Sequence, residues 1–182
     1  MIQAISAFDM HVLTALNAIR DPHIVQMLIS VSEGASAWTI ASITACAALV
    51  LALREQHRLA LGLLTAILSS TVMLIGLKAL IARPRPPAPF FAYHETWWSF
   101  PSGHATLAMT LYGFLALLIC RSGASKPLRL IGIACTTAII LVIGFSRLYL
   151  GVHYPSDVIA GYTVGAFAIW LGMRAVQYFE TS

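Results

Sequence analysis

Long apolar segments dominate this chain and restrict it to a membrane fold. A bilayer-spanning helix needs about 20 mainly apolar residues. Five stretches meet this requirement: 35–53, 59–79, 102–121, 128–147 and 155–175. The chain is 59% hydrophobic and 10% charged, whereas soluble domains have about 25% charged residues. We therefore predict an all-α, polytopic membrane helical bundle with five full spans.

The first 34 residues carry a different pattern. Apolar side chains recur there at helical spacing: Ile5, Phe8, Val12, Leu16 and Ile19. Asp9 lies elsewhere on the helical wheel, so the pattern predicts an amphipathic helix that lies in the interface or is half inserted. A second helix begins near residue 23 and is interrupted close to Gly34. Because 23–53 is too short for two full spans, we count five spans, with six as the alternative.

The domain organisation follows from these segments. We treat residues 1–182 as a single membrane-embedded domain, with an N-terminal element at 1–34 and a core at 59–175. The one long connection, 80–101, is rich in proline and aromatic residues, and long loops in compact proteins are often functional. The net charge of +4 is modest and no Lys/Arg run with interleaved aromatics is present. Nucleic-acid binding is therefore not expected.

Three short stretches place cationic or histidine side chains beside the apolar segments. They are Lys78 to Pro86, which includes Arg85; Pro101-Ser102-Gly103-His104; and Ser146-Arg147, followed by His153 and Asp157. A charge next to hydrocarbon is expensive, so such residues usually mark a site. Arginine presents a planar fork that matches phosphate oxygens, and lysine presents a point charge. The three stretches together predict a phosphate site.

Several of these residues suit the binding of a phosphoryl group. Phosphoryl transfer needs neutralisation of charge on the equatorial oxygens, an in-line nucleophile and an acid for the leaving oxygen. Lys78, Arg85 and Arg147 can supply the neutralising charge. Ser102 and Gly103 open an apolar segment, and the N-terminus of a helix there would offer free N–H groups to an anion.

Two histidines and an aspartate remain for the chemical step. His153 and Asp157 are four residues apart. A carboxylate bonded to one imidazole nitrogen fixes the tautomer and makes the other nitrogen a better nucleophile. His104 is left for the role of general acid. No carboxylate cluster is available for Mg²⁺ or Zn²⁺, so we expect no metal site and no cofactor.

The three stretches resemble the three-part signature of the type 2 phosphatidic acid phosphatase superfamily. The parts are Lys-x6-Arg-Pro, Pro-Ser-Gly-His and Ser-Arg-x5-His-x3-Asp, all complete and in order. The resemblance implies a metal-independent phosphatase with a phosphohistidine intermediate, in which His153 is the nucleophile, Asp157 orients it and His104 protonates the leaving group. It also implies that the three basic residues hold the phosphoryl oxygens, assisted by the Ser-Gly pair. Arg83, His94 and Glu95 fall outside the signature, and we expect them to face water.

Loop charge predicts the orientation of the bundle. With five spans, the connections 54–58 and 122–127 share one side with the C-terminus. The basic residues on that side are Arg54, Arg58, Arg121, Lys126, Arg129 and Arg174. The positive-inside rule makes this side cytoplasmic, and alternation of the spans puts all three motifs on the other face. We predict a multi-pass protein of the bacterial inner membrane whose site faces the periplasm or the outside.

The expected partners are the bilayer and a membrane lipid phosphate. Among such lipids we favour undecaprenyl pyrophosphate, because the chain resembles small bacterial members of the family and because its site is predicted to face outward. Phosphatidylglycerophosphate, phosphatidic acid and lipid A phosphates remain alternatives, as does a lipid phosphotransferase. The non-enzymatic alternative is a lipid-binding or transport protein, which would leave the His–Asp pair unexplained. The sequence does not indicate an oligomeric state.

Overall fold

The computed structural model describes residues 2–92 and 95–181, and this part of the chain is all-helical, with no strands. Its α-helices are α1 (Ile2–Ala18), α2 (Pro22–Ser32), α3 (Ala37–Leu53), α4 (His57–Ile81), α5 (Gly103–Arg121), α6 (Lys126–Tyr149) and α7 (Pro155–Thr181). Short 3₁₀ helices lie at Glu33–Ala35 and Ala88–Phe90. The all-α membrane bundle is confirmed.

The predicted number of five full spans is not confirmed. Within the described ranges, α4, α5, α6 and α7 are long and apolar enough to cross a membrane. Helix α3 has only 17 residues, so the predicted span at 35–53 is not a continuous spanning helix. It joins Pro22–Ala35 across a bend of 43°, and the two pieces together have the length and composition of one broken span. The fold therefore has four continuous candidate spans and at most one broken one.

Helices α4, α5 and α7 pack closely around glycines. A Cβ added to Gly172 of α7 would lie 2.4 Å from the carbonyl oxygen of Gly62 in α4, and one on Gly161 would lie 2.8 Å from the carbonyl oxygen of Ser102. Helices in hydrocarbon associate largely through such van der Waals packing at small residues. The Gly161 contact holds the first turns of α7 against the N-terminus of α5, where two of the three motifs lie.

The connection between α4 and α5 folds back over the same end of the bundle. Helix α4 ends with Ala82 in the left-handed region (φ 44°), and the N–H of Ala82 donates to the Lys78 carbonyl. The N–H of Ser99 donates to the Arg83 carbonyl at 2.9 Å, and that of Ala92 to the Leu150 carbonyl at 2.9 Å. These bonds tie the connection to itself and to the short connection between α6 and α7.

Helix α1 forms where the apolar spacing predicted it and packs against α6 and α7. Asp9 and Leu13, one turn apart, are 0% and 1% exposed, whereas Ile5, Phe8 and Ile19 are exposed. Much of the predicted apolar stripe therefore faces away from the protein, as a bilayer-facing surface would. The buried side of α1 carries a carboxylate, and this inward-facing Asp9 was not expected from the helical wheel.

Candidate active site

The three motifs converge at one end of the bundle. Lys78 and Arg147 lie in the last turns of α4 and α6, and the charges of Lys78, Arg85, Arg147 and Asp157 act on one another there. His104, in the first turn of α5, is close enough to His153, Arg85 and Arg147 to interact with them electrostatically. The structure thus brings together side chains separated by up to 79 positions in the sequence (78 to 157).

His153 and Asp157 form a buried pair. Their side chains are 2% and 0% exposed, and Nδ1 of His153 lies 3.5 Å from Oδ2 of Asp157. Ser99 donates a short hydrogen bond from Oγ to the same carboxylate oxygen, and the N–H of Tyr154 donates to it at 3.0 Å. The other imidazole nitrogen, Nε2, is 3.3 Å from Nη1 of Arg85. One nitrogen therefore faces the carboxylate and the other faces the cations.

The environment of His153 favours the neutral imidazole. Burial lowers its pKa to about 4; the hydrogen bond with Asp157 opposes this shift, and the charges of Arg147 and Arg85 add to it. At neutral pH the ring is uncharged, so one nitrogen retains a lone pair. With Nδ1 directed at the carboxylate, the available lone pair is on Nε2.

A carboxylate bridges two of the arginines. Glu95 Oε1 lies 2.5 Å from Nη2 of the fully buried Arg147, and Glu95 Oε2 lies 3.4 Å from Nη2 of Arg85. Nη1 of Arg147 also donates to Ser32 Oγ at 3.2 Å. The expectation that Glu95 faces water is wrong, because the connection folds inward and a desolvated guanidinium strongly favours an anionic partner. His94 lies outside the described residues.

Backbone carbonyls hold the other cations in place. Lys78 is 5% exposed, and its Nζ donates a short hydrogen bond to the Trp98 carbonyl. Arg85 donates from Nε to the Trp97 carbonyl at 2.6 Å and from Nη1 to the Val152 carbonyl at 2.8 Å. Both cations are thus fixed by the folded connections rather than extended into water.

The start of α5 presents an unsatisfied hydroxyl. Ser102 is fully buried, and its Oγ has no hydrogen-bond partner among the described residues. A buried polar group left unpaired costs about 1–3 kcal/mol, which a ligand oxygen could offset. A Cβ on the next residue, Gly103, would meet only Leu74 Cδ2, at an ordinary 3.5 Å. Protein packing therefore does not crowd this helix N-terminus.

Arg83 belongs to the site, contrary to the expectation of a solvated charge. Its Nη1 donates to Asp157 Oδ1 at 2.7 Å and to Ser156 Oγ at 2.7 Å, and its Nη2 donates to Asp9 Oδ2 at 2.8 Å. Although burial alone would lower the pKa of Arg83, the hydrogen bond to Asp9 and the nearby carboxylates raise it. The sequence signal for this contact is Asp9 itself, a charge within an apolar helix.

The side chains at this end of the bundle could bind an anion next to a nucleophile. Arg85 contacts one imidazole nitrogen of His153, Asp157 faces the other, and the charges of Arg147 and Lys78 act on the same cluster of residues. Among residues 2–92 and 95–181, no group of three or more His, Cys, Asp or Glu side chains is placed to hold a metal ion. The side chains present could bind a tetrahedral oxyanion such as a phosphate.

Comparison with known proteins identifies the family. A sequence model of the PAP2 superfamily matches residues 57–180, so the chain belongs to that superfamily, as its three motifs predicted. Members of this family that resemble the chain are lipid phosphatases, and the protein is accordingly a hydrolase that acts on lipid phosphate.

The curated relatives differ in the lipid they are named for. Phosphatidylglycerophosphatase B of Bacillus subtilis is 31% identical over 174 residues, 92% of this chain and 83% of the relative. Undecaprenyl-diphosphatase of Sulfolobus acidocaldarius is 30% identical over 139 residues, 74% of this chain and 62% of the relative. Lipid A 1-phosphatase of Rhizobium johnstonii is 39% identical over 101 residues, 50% and 37% of the two chains.

Solved structures share the fold. The crystal structure of a transmembrane PAP2-type phosphatidylglycerolphosphate phosphatase from Bacillus subtilis matches with a TM-score of 0.83 at 23% identity, over 98% of this chain and 87% of that one. The crystal structure of Aquifex aeolicus LpxE matches with a TM-score of 0.71 at 24% identity, over 91% and 94% of the two chains. The arrangement of helices is therefore shared with both of these structures.

Proposed function

We propose that this protein removes a phosphate from a membrane lipid through a phosphohistidine on His153. The observation that carries the proposal is the geometry around the imidazole: Nδ1 faces Asp157 at 3.5 Å, and Nε2 lies 3.3 Å from Arg85. Arg85 and Arg147 are in turn bridged by one carboxylate, that of Glu95. The nitrogen assigned as the nucleophile therefore lies next to the guanidinium groups assigned to the phosphoryl oxygens, and Arg85 has to release Nε2 when the substrate binds.

The reaction proceeds in two steps that reuse the same groups. The Nε2 lone pair of His153 attacks phosphorus, the P–O bond to the lipid or its remaining phosphate breaks, and His104 donates a proton to the departing oxygen. Water then attacks the phosphohistidine, the P–N bond breaks, and His104 takes a proton from that water. Asp157 holds the Nδ1 proton throughout and stabilises the charge that develops on the ring.

Glu95 occupies the position that we assign to the phosphoryl oxygens. Its two carboxylate oxygens contact the two guanidinium groups, much as two oxygens of a phosphoryl group would. Binding of substrate therefore requires Glu95 to move away from Arg147 and Arg85. Lys78 and the unpaired Oγ of Ser102 supply further contacts to the anion in this proposal, and Gly103 leaves room for it.

The lipid chain has an apolar path that starts near the proposed phosphate position. A cavity of about 380 Å³ is lined by residues that include Val31, Gly34, Tyr112 and Ile143. Ile143 lies one helical turn before Arg147 on α6, and Val31 precedes Ser32, which accepts a hydrogen bond from Arg147. A lipid whose phosphate met Arg147 could therefore place its hydrocarbon between α2, α5 and α6.

Undecaprenyl pyrophosphate is the substrate that we favour, and hydrolysis rather than transfer is the favoured reaction. An outward-facing site suits a carrier lipid whose pyrophosphate is exposed outside after use, and one relative is named for this activity. Phosphatidylglycerophosphate and lipid A phosphates, for which other relatives are named, and phosphatidic acid are the alternatives. Transfer to an acceptor lipid and a non-catalytic lipid-binding role are the further alternatives.

Phosphate release from a panel of these lipids in detergent tests the proposed activity. We expect release from undecaprenyl pyrophosphate to be the most efficient, to persist in EDTA and to be inhibited by vanadate, which adopts the five-coordinate geometry of the transition state. Loss of all activity in EDTA with recovery in Mg²⁺ would contradict the mechanism. Appearance of the phosphate on an added acceptor lipid would establish the phosphotransferase instead.

We further propose that the protein lies in the bacterial inner membrane with its site facing outward and its C-terminus in the cytoplasm. The support is the distribution of basic residues at the opposite end of the bundle. A C-terminal fluorescent fusion that matures only in the cytoplasm is expected to fluoresce. Activity of a C-terminal alkaline phosphatase fusion, which requires the periplasm, would reverse the orientation and weaken the case for undecaprenyl pyrophosphate.

A further inference from the structure

Asp9 is a fully buried carboxylate on α1, far in sequence from the motifs. It accepts hydrogen bonds from the N–H of Ser156 at 3.0 Å, from Ser156 Oγ at 2.5 Å and from Nη2 of Arg83 at 2.8 Å. Burying a carboxylate costs several kcal/mol unless its partners compensate. All three of these donors belong to residues that lie next to Asp157, so Asp9 is stabilised by the surroundings of the His153–Asp157 pair.

Arg83 joins Asp9 to Asp157. One of its terminal nitrogens, Nη1, donates to Asp157 Oδ1 at 2.7 Å, and the other, Nη2, donates to Asp9 Oδ2. The guanidinium lies 4.0 Å from the centre of the Tyr154 ring, a contact that favours one orientation of its plane. A single planar fork is thus divided between two carboxylates.

The two oxygens of Asp157 have different partners because of this division. Oδ1 accepts from Arg83, whereas Oδ2 accepts from Ser99 and Tyr154 and faces Nδ1 of His153. Arginine prefers to bind a carboxylate with both ends of its fork. If Arg83 closed on Asp157 in that way, it would compete with the imidazole for Oδ2. In the structure the second end of the fork binds Asp9 instead.

We propose that Asp9 and Arg83 are a positioning pair for the His153–Asp157 dyad. Asp9 holds one arm of the Arg83 fork, the other arm fixes Asp157 through Oδ1, and Oδ2 stays available to the imidazole. The inference rests on the proposed role of His153 as nucleophile. Helix α1 lies outside residues 57–180, which match the family. In this proposal α1 nevertheless contributes a positioning residue to the active site.

The charges of Asp9 and Arg83 predict that the pair affects the chemical step more than substrate binding. During attack on phosphorus, His153 gains positive charge, which nearby negative charge stabilises. Asp9 and Asp157 share the single positive charge of Arg83, so the groups behind the ring keep a net negative charge. Neither Asp9 nor Arg83 contacts Glu95 or the residues assigned to phosphate binding in the hydrogen bonds described. Disturbing the pair should therefore lower kcat more than it raises KM.

Asp9→Asn is the direct test, because asparagine keeps the size of the side chain and removes its charge. We expect kcat for lipid phosphate hydrolysis to fall about 10- to 100-fold, the range typical of partners one layer behind functional side chains, with KM changed less than about twofold. Asp21→Asn is the matched control. Asp21 is an exposed N-cap of α2, a position that asparagine serves equally well, so this variant should keep the wild-type kcat.

Arg83→Lys provides a second test that keeps the positive charge. An ammonium lacks the planar fork of N–H groups with which Arg83 contacts both carboxylates. We therefore expect a loss of kcat similar to that of Asp9→Asn. The double variant should lose much less than the product of the two single losses, because both changes disturb one contact. A role limited to anchoring α1 would instead leave Arg83→Lys with the wild-type kcat, because lysine keeps a positive charge beside Asp9.

The wild-type protein in the same assay distinguishes failure of the proposed function from failure of the positioning pair. If the wild type releases no phosphate from any lipid of the panel, the proposed function fails. If the wild type is active and either Asp9→Asn or Arg83→Lys keeps the wild-type kcat, only the positioning pair is refuted. Thermal unfolding and gel filtration of each purified variant show whether a loss of kcat exceeds any loss of folded protein. A loss fully explained by unfolding in both variants also overturns the proposal.

Discussion

His153→Ala is expected to lose phosphatase activity while the protein still inserts and folds. Removal of a nucleophile eliminates the covalent path altogether, and such substitutions lower kcat on the order of 10⁵-fold or more. The side chain lies in the connection between α6 and α7 and not within a candidate span, so insertion should be little affected. The measurement is phosphate release by purified variant and wild type at equal concentration.

His57→Ala is the matched control for this variant. His57 is exposed at the first position of α4, at the end of that helix opposite Lys78, and its removal should leave kcat unchanged. A His153→Ala protein that elutes and unfolds like the wild type but releases no phosphate supports the assignment. Retention of even a tenth of wild-type activity would show that the nucleophile lies elsewhere.

Arg147→Ala is expected to have the next largest effect. A preorganised charge beside the phosphoryl group contributes about 2–4 kcal/mol to the barrier, so kcat/KM should fall about 30- to 900-fold. Lys78→Ala and Arg85→Ala belong to the same class and should lose activity in the same range. Steady-state kinetics on one lipid phosphate substrate provide the measurement, and Arg121→Ala, an exposed arginine at the far end of α5, is the control.

Glu95→Gln shows whether the loss in Arg147→Ala arises from a missing ion pair or from a missing phosphate contact. Both variants remove the ion pair between Glu95 and Arg147, but only one removes the arginine. If Glu95 occupies the phosphate position, its neutral analogue competes less with substrate and KM should decrease. A fall in kcat/KM equal to that of Arg147→Ala would instead show that the ion pair itself is what the site requires.

The bundle and the convergence of its motifs were predictable because their causes are local. The length of an apolar segment identifies a helix that can cross a bilayer. Because consecutive spans alternate in direction, the end of α4, the start of α5, the end of α6 and the start of α7 lie on the same side. The broken span formed by Pro22–Ala35 and Ala37–Leu53 was less predictable. The interruption near Gly34 is visible in the sequence, but whether two short helices form a broken span depends on how α2 packs against α6.

The partners of individual charges were not predictable from their positions in the sequence. Arg83 and Glu95 are typical loop charges by composition, and only the inward fold of their connection brings them into contact with buried partners. Their partners lie far away along the chain: 74 residues separate Arg83 from both Asp9 and Asp157, and 52 separate Glu95 from Arg147. No helical or strand periodicity links such pairs. The apolar context of Asp9 was the one available signal.

Trapping the covalent intermediate shows whether His153 is the nucleophile. Purified protein is mixed with a lipid phosphate labelled in its terminal phosphoryl group, quenched in alkali within milliseconds to seconds, and analysed by peptide mapping, because phosphohistidine survives base and is lost in acid. We expect acid-labile label on the peptide that contains His153, and none in His153→Ala. Label on another residue, or wild-type turnover with no labelled protein at any quench time, would contradict this assignment.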